Sequence, residues 1–139
     1  MSERILITGS RDWTNHRYIA TVLRIVREFH PDAVLVHGDC SGADRLSAAL
    51  WQRWGLPTEA HPVDWYSSCD HTCRHGRRRG RDIDYCPNAG MRRNRHMVAL
   101  GADLCLAFLL PTSRGGASTA QLADQVGITT HRFPKGVKP

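Results

Sequence analysis

Three glycine-containing runs in this sequence carry the residue types that hold an anion. Thr8-Gly9-Ser10-Arg11-Asp12-Trp13 combines a glycine, which admits close backbone approach, with a hydroxyl and a guanidinium. His37-Gly38-Asp39-Cys40-Ser41-Gly42-Ala43-Asp44 sets two glycines around small polar residues. Pro111-Thr112-Ser113-Arg114-Gly115-Gly116-Ala117-Ser118-Thr119 again joins glycines to hydroxyls. Each run follows an apolar stretch and precedes a helical pattern, where free backbone N–H groups and the helix dipole favour phosphate. One glycine after a strand is ordinary turn chemistry. Three such turns at successive strand ends point to a common pocket. The expected mechanism is capture of phosphate by exposed amides and arginines around Gly9, Gly38, Gly42 and Gly116.

A hydrolytic reaction in such a pocket needs a placed carboxylate. Asp12, Asp39 and Asp44 stand at strand ends, and Asp44 is the catalytic candidate. Asp44 equally suits the first turn of a helix, or the orientation of Arg11 or Arg93. Trp13 and the Trp65-Tyr66 pair follow strands, where an indole stacks on an adenine-like base or anchors a loop. His37 reads as a hydrogen-bonded structural histidine.

A second constellation suits a metal. The cysteine count is five, and an odd number argues against a disulfide framework. Cys40 and Cys105 adjoin apolar runs and read as buried thiols. Cys69, Cys73, His75 and Cys86 fall together in a polar stretch and read as a Cys3His zinc site, with His71 and His96 as other donors. Four protein ligands leave no position for a reacting water, so the zinc is expected to be structural and to give the stretch its shape.

Net charge is +6, which favours anionic partners. The excess sits in one block: Arg74, Arg77, Arg78, Arg79, Arg81, Arg92, Arg93 and Arg95. Arg92, Arg93 and Arg95 could clamp phosphates, and Arg77, Arg78 and Arg79 could contact a nucleic-acid backbone. No aromatic lies within Arg74 to Arg81, so base stacking by that block is unsupported.

The elements that position these residues alternate strand and helix. Strands are expected at Arg4–Thr8, Asp32–Val36, Pro57–Pro62, Asp103–Leu109 and Ile128–His131. Helices are expected at His16–Phe29, Gly42–Trp54, Met91–Leu100 and Ala117–Val126. Such alternation builds right-handed crossovers and a parallel sheet. The expected fold is α/β: a Rossmann-like three-layer sandwich with a mainly parallel sheet of about five strands, in a single domain over 1–139. An irregular Cys/Arg-rich zinc-loop insertion over 64–89 interrupts it. Hydrophobic content of 41% and charged content of 23% fit a globular chain. No apolar run approaches ~20 residues, so no membrane partner is expected, and without a signal-type leader the expected location is the cytoplasm.

The ordered segments ILITGSRDW, VHGDCSGADRLSA, Pro-Val-Asp-Trp, AGMRRNRHMV, and ADLCLAF followed by SRGGAST resemble the YspA-like branch of the SLOG superfamily. Relatives of this type are common in actinobacteria and their phages, which would place a phage-encoded member in the host cytoplasm. The resemblance implies a Rossmann-like fold related to the DprA and LOG proteins. It also implies binding of nucleotides or derivatives such as ADP-ribose-like molecules. On the residues, Gly9, Ser10 and Arg11 match the first-strand loop, and Gly38, Gly42, Ala43 and Asp44 match a GGxxGAD element that also encloses Asp39. Arg93 and Asn94 match an RN pair, and Ser113, Arg114, Gly115 and Gly116 occupy the phosphate loop. In the LOG enzymes, which look like phosphoribohydrolases, a Glu follows that loop. Here the helix reads Ser118 to Asp124 without one, and Asp124 suits a solvated helix face better than catalysis. The favoured reading is a nucleotide sensor or sequestering module. Its alternatives are an N-glycosidic or phosphoester hydrolase and a nucleic-acid binding protein. Relatives often pair subunits, so a homo-oligomer is compatible, though no residue pattern fixes it.

Overall fold

The computed structural model describes residues 3–65, 76–77, 84–85 and 88–134. In chain order the elements are β1 (Arg4–Gly9), α1 (His16–Phe29), β2 (Val34–His37), α2 (Ala43–Arg53), β3 (Thr58–Ala60), β4 (Gly76–Arg77), β5 (Asp84–Tyr85), α3 (Ala89–Ala99), β6 (Leu104–Phe108), α4 (Arg114–Gln125) and β7 (Thr130–Phe133). Five strands form one parallel sheet in the order β3-β2-β1-β6-β7.

Side-chain alternation along the strands divides the core in two. Ile5 and Ile7 of β1, with Leu104, Leu106 and Phe108 of β6, pack against Ile19, Leu23 and Val26 of α1 and Ala48 and Trp51 of α2. Leu6, Val36 and Cys105 face the other way, onto Met97 and Val98 of α3 and Ala123 of α4. Helices therefore cover both faces, which explains why all five residues of β6 are apolar and buried. The Asn15 side chain caps α1 by accepting the Tyr18 amide at 3.1 Å.

From β1 the chain winds outward through β2 and β3, then returns to β6 on the opposite side of β1. That reversal opens a crevice at the carboxyl ends of β1 and β6, the place where open α/β sheets bind ligands.

Of the boundaries that differ from the sequence expectation, two bear on the site. α4 begins at Arg114, so Gly115 and Gly116 lie in its first turn rather than in a loop. α3 begins at Ala89, after Asn88. Within 64–89, Gly76–Arg77 and Asp84–Tyr85 pair as an antiparallel ladder, too short to leave a period in the sequence. Among the described residues no helix is long and apolar enough to cross a membrane.

Candidate functional site

The ends of β1 and β6 are joined by the Ser10 amide, which donates to the Phe108 carbonyl at 2.8 Å. Glycines let the surrounding backbones close on this point. A Cβ on Gly116 would stand 2.9 Å from the Gly9 Cα, and one on Gly9 would stand 2.3 Å from the Phe108 oxygen. Gly42, with φ of +76°, would bring a Cβ to 2.3 Å from the Ser10 oxygen. Gly9, Gly42 and Gly116 thus allow backbone to pack on backbone. Gly115 differs: among the described residues nothing lies within 4 Å of the Cβ position.

Above this junction lies a cleft of about 490 Å³. Its walls are Thr8 to Asp12, the start of α3 with Asn88, Gly90, Met91, Arg93 and Asn94, and Thr112 to Gly116. Cys40, Asp44, Trp65 and Met97 complete it. Two helix N-termini open here without capping side chains. The Ser113 hydroxyl is turned away, accepting the Leu110 amide at 2.8 Å. Among the described residues the amides of Gly90, Met91, Gly115 and Gly116 have no acceptor. First-turn amides left this way carry the positive end of the helix dipole. Arg11 and Arg114, both exposed, add full positive charges.

The turn before α2 is built differently. Asp44, buried at the start of α2, accepts the Gly38 amide at 3.0 Å and the Cys40 amide at 3.4 Å through Oδ2. The Asp39 amide donates to His37 Nδ1 at 3.0 Å, and the Ala43 amide to the Ser10 carbonyl at 3.0 Å. Amides expected to meet a ligand anion here meet the protein's own acceptors. Burial pushes the Asp44 carboxyl up to about 6, against the pull of the Cys40 and Gly38 amides, Arg93 and Arg11. His37 is the structural histidine expected: it is buried, and burial lowers its pKa, consistent with a neutral ring accepting at Nδ1.

Arg93 binds protein on several sides. Nη1 donates to the Gly38 carbonyl at 2.6 Å and the His61 carbonyl at 3.1 Å, and Nε donates to Asn94 Oδ1 at 2.8 Å. Nη2 faces Cys40 Sγ at 3.7 Å. The fork ties the ends of β2 and β3 to α3, and a Cβ on Gly38 would collide with it at 2.6 Å.

The structure brings Gly9, Ser10, Arg11, Asp44, Arg93, Asn94, Ser113, Arg114, Gly115 and Gly116 around one cleft. Gly38 and Asp39 instead line an adjoining compartment of about 330 Å³, and Gly42 and Ala43 line neither. Trp13 is a core anchor, edge-on to Tyr18 at 5.6 Å and Phe108 at 5.5 Å, with Nε1 donating to the Asn15 carbonyl at 2.9 Å. Asn88, Gly90 and Met91 were not expected at the site, although Asn before a helical run is a start signal. Cys69, Cys73, His75 and Cys86, with His71, Tyr66, Arg74, Arg78, Arg79 and Arg81, lie outside the described residues. Among the described residues no group of three or more metal-ligating side chains occurs.

The model of the YspA- and cpYpsA-related SLOG family (YAcAr) matches residues 3–67. The gene 61 protein of Mycobacterium phage D29 is 35% identical over 146 residues, covering 98% of each chain. This chain belongs to the YspA- and cpYpsA-related SLOG family. A solved structure shares the fold of this chain. DNA processing protein A (DprA) from Streptococcus pneumoniae aligns with a TM-score of 0.52 at 16% identity. That match covers 94% of this SLOG chain and 58% of the DprA chain.

Proposed function

We propose that this SLOG domain binds a nucleotide or nucleotide-derived ligand, a nucleoside phosphate or an ADP-ribose-like molecule, as a sensor or sequestering module. The observation that carries the reading is the pair of uncapped helix N-termini, α3 and α4, opening on one cleft at the switch point between β1 and β6. Arg11 and Arg114 supply charge for phosphate, and Gly115 leaves its amide approachable. Such a ligand fits a cytoplasmic setting. Isothermal titration of inorganic phosphate, nucleoside monophosphates, ADP-ribose and NAD tests it. Saturable binding weakened by competing phosphate is expected; no heat with any of them overturns the reading.

A buried carboxylate in the cleft supports a second reading, an N-glycosidic or phosphoester hydrolase. The Asp44 carboxyl near 6 is in range for acid–base work at neutral pH, although its Oδ2 is already held by two amides. Product formed from ADP-ribose or NAD and abolished in Asp44→Asn would favour it. The name of the DprA neighbour and the arginine block support a third, contact with nucleic acid. Salt-dependent binding to DNA or RNA is its signature. A structural zinc on Cys69, Cys73, His75 and Cys86 stays part of the proposal; zinc content unchanged after all three cysteines become serine would end it.

A further inference from the structure

We infer that Trp65 is the plate on which the ligand's base lies, so that the ligand spans two compartments with phosphate in one and base in the other. This rests on the reading of the cleft as a nucleotide site. Trp65 lines both the switch-point cleft and the compartment beside it, as do Arg11 and Cys40. The indole is half-buried and seated on α3: a Cβ on Gly90 would stand 3.3 Å from Trp65 Cη2. Glycine at that position lets the ring lie close against the helix.

The two compartments differ in chemistry. The first holds Arg114 and amides of α3 and α4 that have no acceptor among the described residues, which suit an anion, with the Asp12 and Asp44 carboxylates also in its lining. In the second, the Gly38 and Cys40 amides are closed by Asp44. Its lining is mostly polar, with Arg11, Ser41 and Arg45 beside the Trp65 ring, Pro62 and Val63, and the Asp39 carboxylate, paired with Arg45 at 3.4 Å, adds an acceptor. An aromatic face beside hydrogen-bonding donors and a carboxylate acceptor fits the flat face and polar edge of a nucleobase. Asp39 is held in the left-handed region with φ of 56°, which fixes where this acceptor departs from the backbone. Arg11, common to both compartments, stands where the ribose phosphate would cross.

Isothermal titration of the full chain with inorganic phosphate, ribose 5-phosphate and AMP tests the assignment. AMP should bind wild type about tenfold or more tightly than ribose 5-phosphate, the usual scale of one base–aromatic stack. Trp65→Ala should weaken AMP by about tenfold more than ribose 5-phosphate and so remove that advantage, while Trp65→Phe keeps most of it. AMP should also quench indole fluorescence in wild type and not in Trp65→Phe, which decides the matter should Trp65→Ala fail to fold. Equal binding of AMP and ribose 5-phosphate, or quenching that persists in Trp65→Phe, overturns the assignment while leaving the anion site standing. Failure of all three probes on wild type overturns the nucleotide reading as well.

Discussion

The Asp44 carboxylate accepts the backbone N–H of Gly38 at 3.0 Å, and that bond closes the α2 turn from within. The contact satisfies a buried donor at the cost of burying a charge. Burial raises the carboxyl from 3.8 to about 6, so between those values the folded chain holds a proton that the unfolded chain has lost. This group's contribution is therefore present below pH ~4 and is lost as pH rises through ~6, by an amount on the order of 2–3 kcal/mol. Asp44→Asn keeps the shape without the charge. The difference in unfolding free energy between variant and wild type, from urea titrations at pH 4 to 7, should shift toward the variant as pH rises. Parallel curves would show that Asp44 does not titrate in this window.

Neighbouring glycines should separate stability from binding. Gly116→Ala places a methyl 2.9 Å from the Gly9 Cα and 3.0 Å from Leu109 Cδ2, in backbone and packed side chain that cannot move aside freely. A loss of about 1–3 kcal/mol is expected. Gly115→Ala meets nothing within 4 Å among the described residues and replaces glycine by a better helix former, so stability should hold or rise by up to about 1 kcal/mol. Gly115 lines the cleft, and an added methyl takes up space beside the α4 amides, so AMP affinity should fall. Thermal melts and titration on both variants check this; AMP affinity unchanged in Gly115→Ala would remove that amide from the site.

Arg93 should behave as a positioning residue. Its planar fork satisfies two carbonyls, on Gly38 and His61, and the Asn94 side chain together. A lysine ammonium cannot reproduce that geometry. Arg93→Lys should cost about 1–3 kcal/mol and speed amide hydrogen exchange around residues 38–42. Arg114→Gln, exposed at the cleft rim, should leave stability within about 0.5 kcal/mol while weakening AMP. If Arg93→Lys weakens AMP with no change in exchange, the guanidinium is serving the ligand directly.

Much of this was legible in the chain because it is local. Ile19, Leu23 and Val26 mark α1 by period, and the unbroken apolar run of β6 declares a strand covered on both faces. The two-residue strands of the β4–β5 ladder leave no such trace. What each site residue does was less readable, because it depends on what distant chain lies opposite. Gly115 and Gly116 are adjacent and identical, yet only Gly116 faces Gly9. Asp44 was equally compatible with catalysis, dipole stabilisation and arginine orientation. Its place beside the β2 end makes it the acceptor for Gly38 and Cys40, and this depends on how α2 packs beneath that turn. Trp13 and Trp65 both follow strands, and tertiary packing alone sends one into the core and the other to the cleft.

Glu59 gives the opposite pH response to Asp44. Its two oxygens receive the Arg4 guanidinium at 3.2 and 2.7 Å, and Oε2 also meets His61 Nε2 at 2.7 Å. The Arg4 hydrogen bonds, followed by that of His61, pull the carboxyl from 4.5 down to about 2. The unfolded chain then takes up its proton first as pH falls, so this stabilisation is present above pH ~4.5 and is lost as pH drops toward ~2. The carboxylate is 37% exposed, and water screens the pair enough that Glu59→Gln should cost only about 1 kcal/mol or less at pH 7. That gap should shrink between pH 4.5 and 2.5, as urea titrations at each pH would show. A gap that persists unchanged at pH 2.5 would mean that Glu59 contributes through packing of its stem against Arg4 and His61. Because Glu59 lines neither compartment, AMP affinity should be the same in the variant as in wild type.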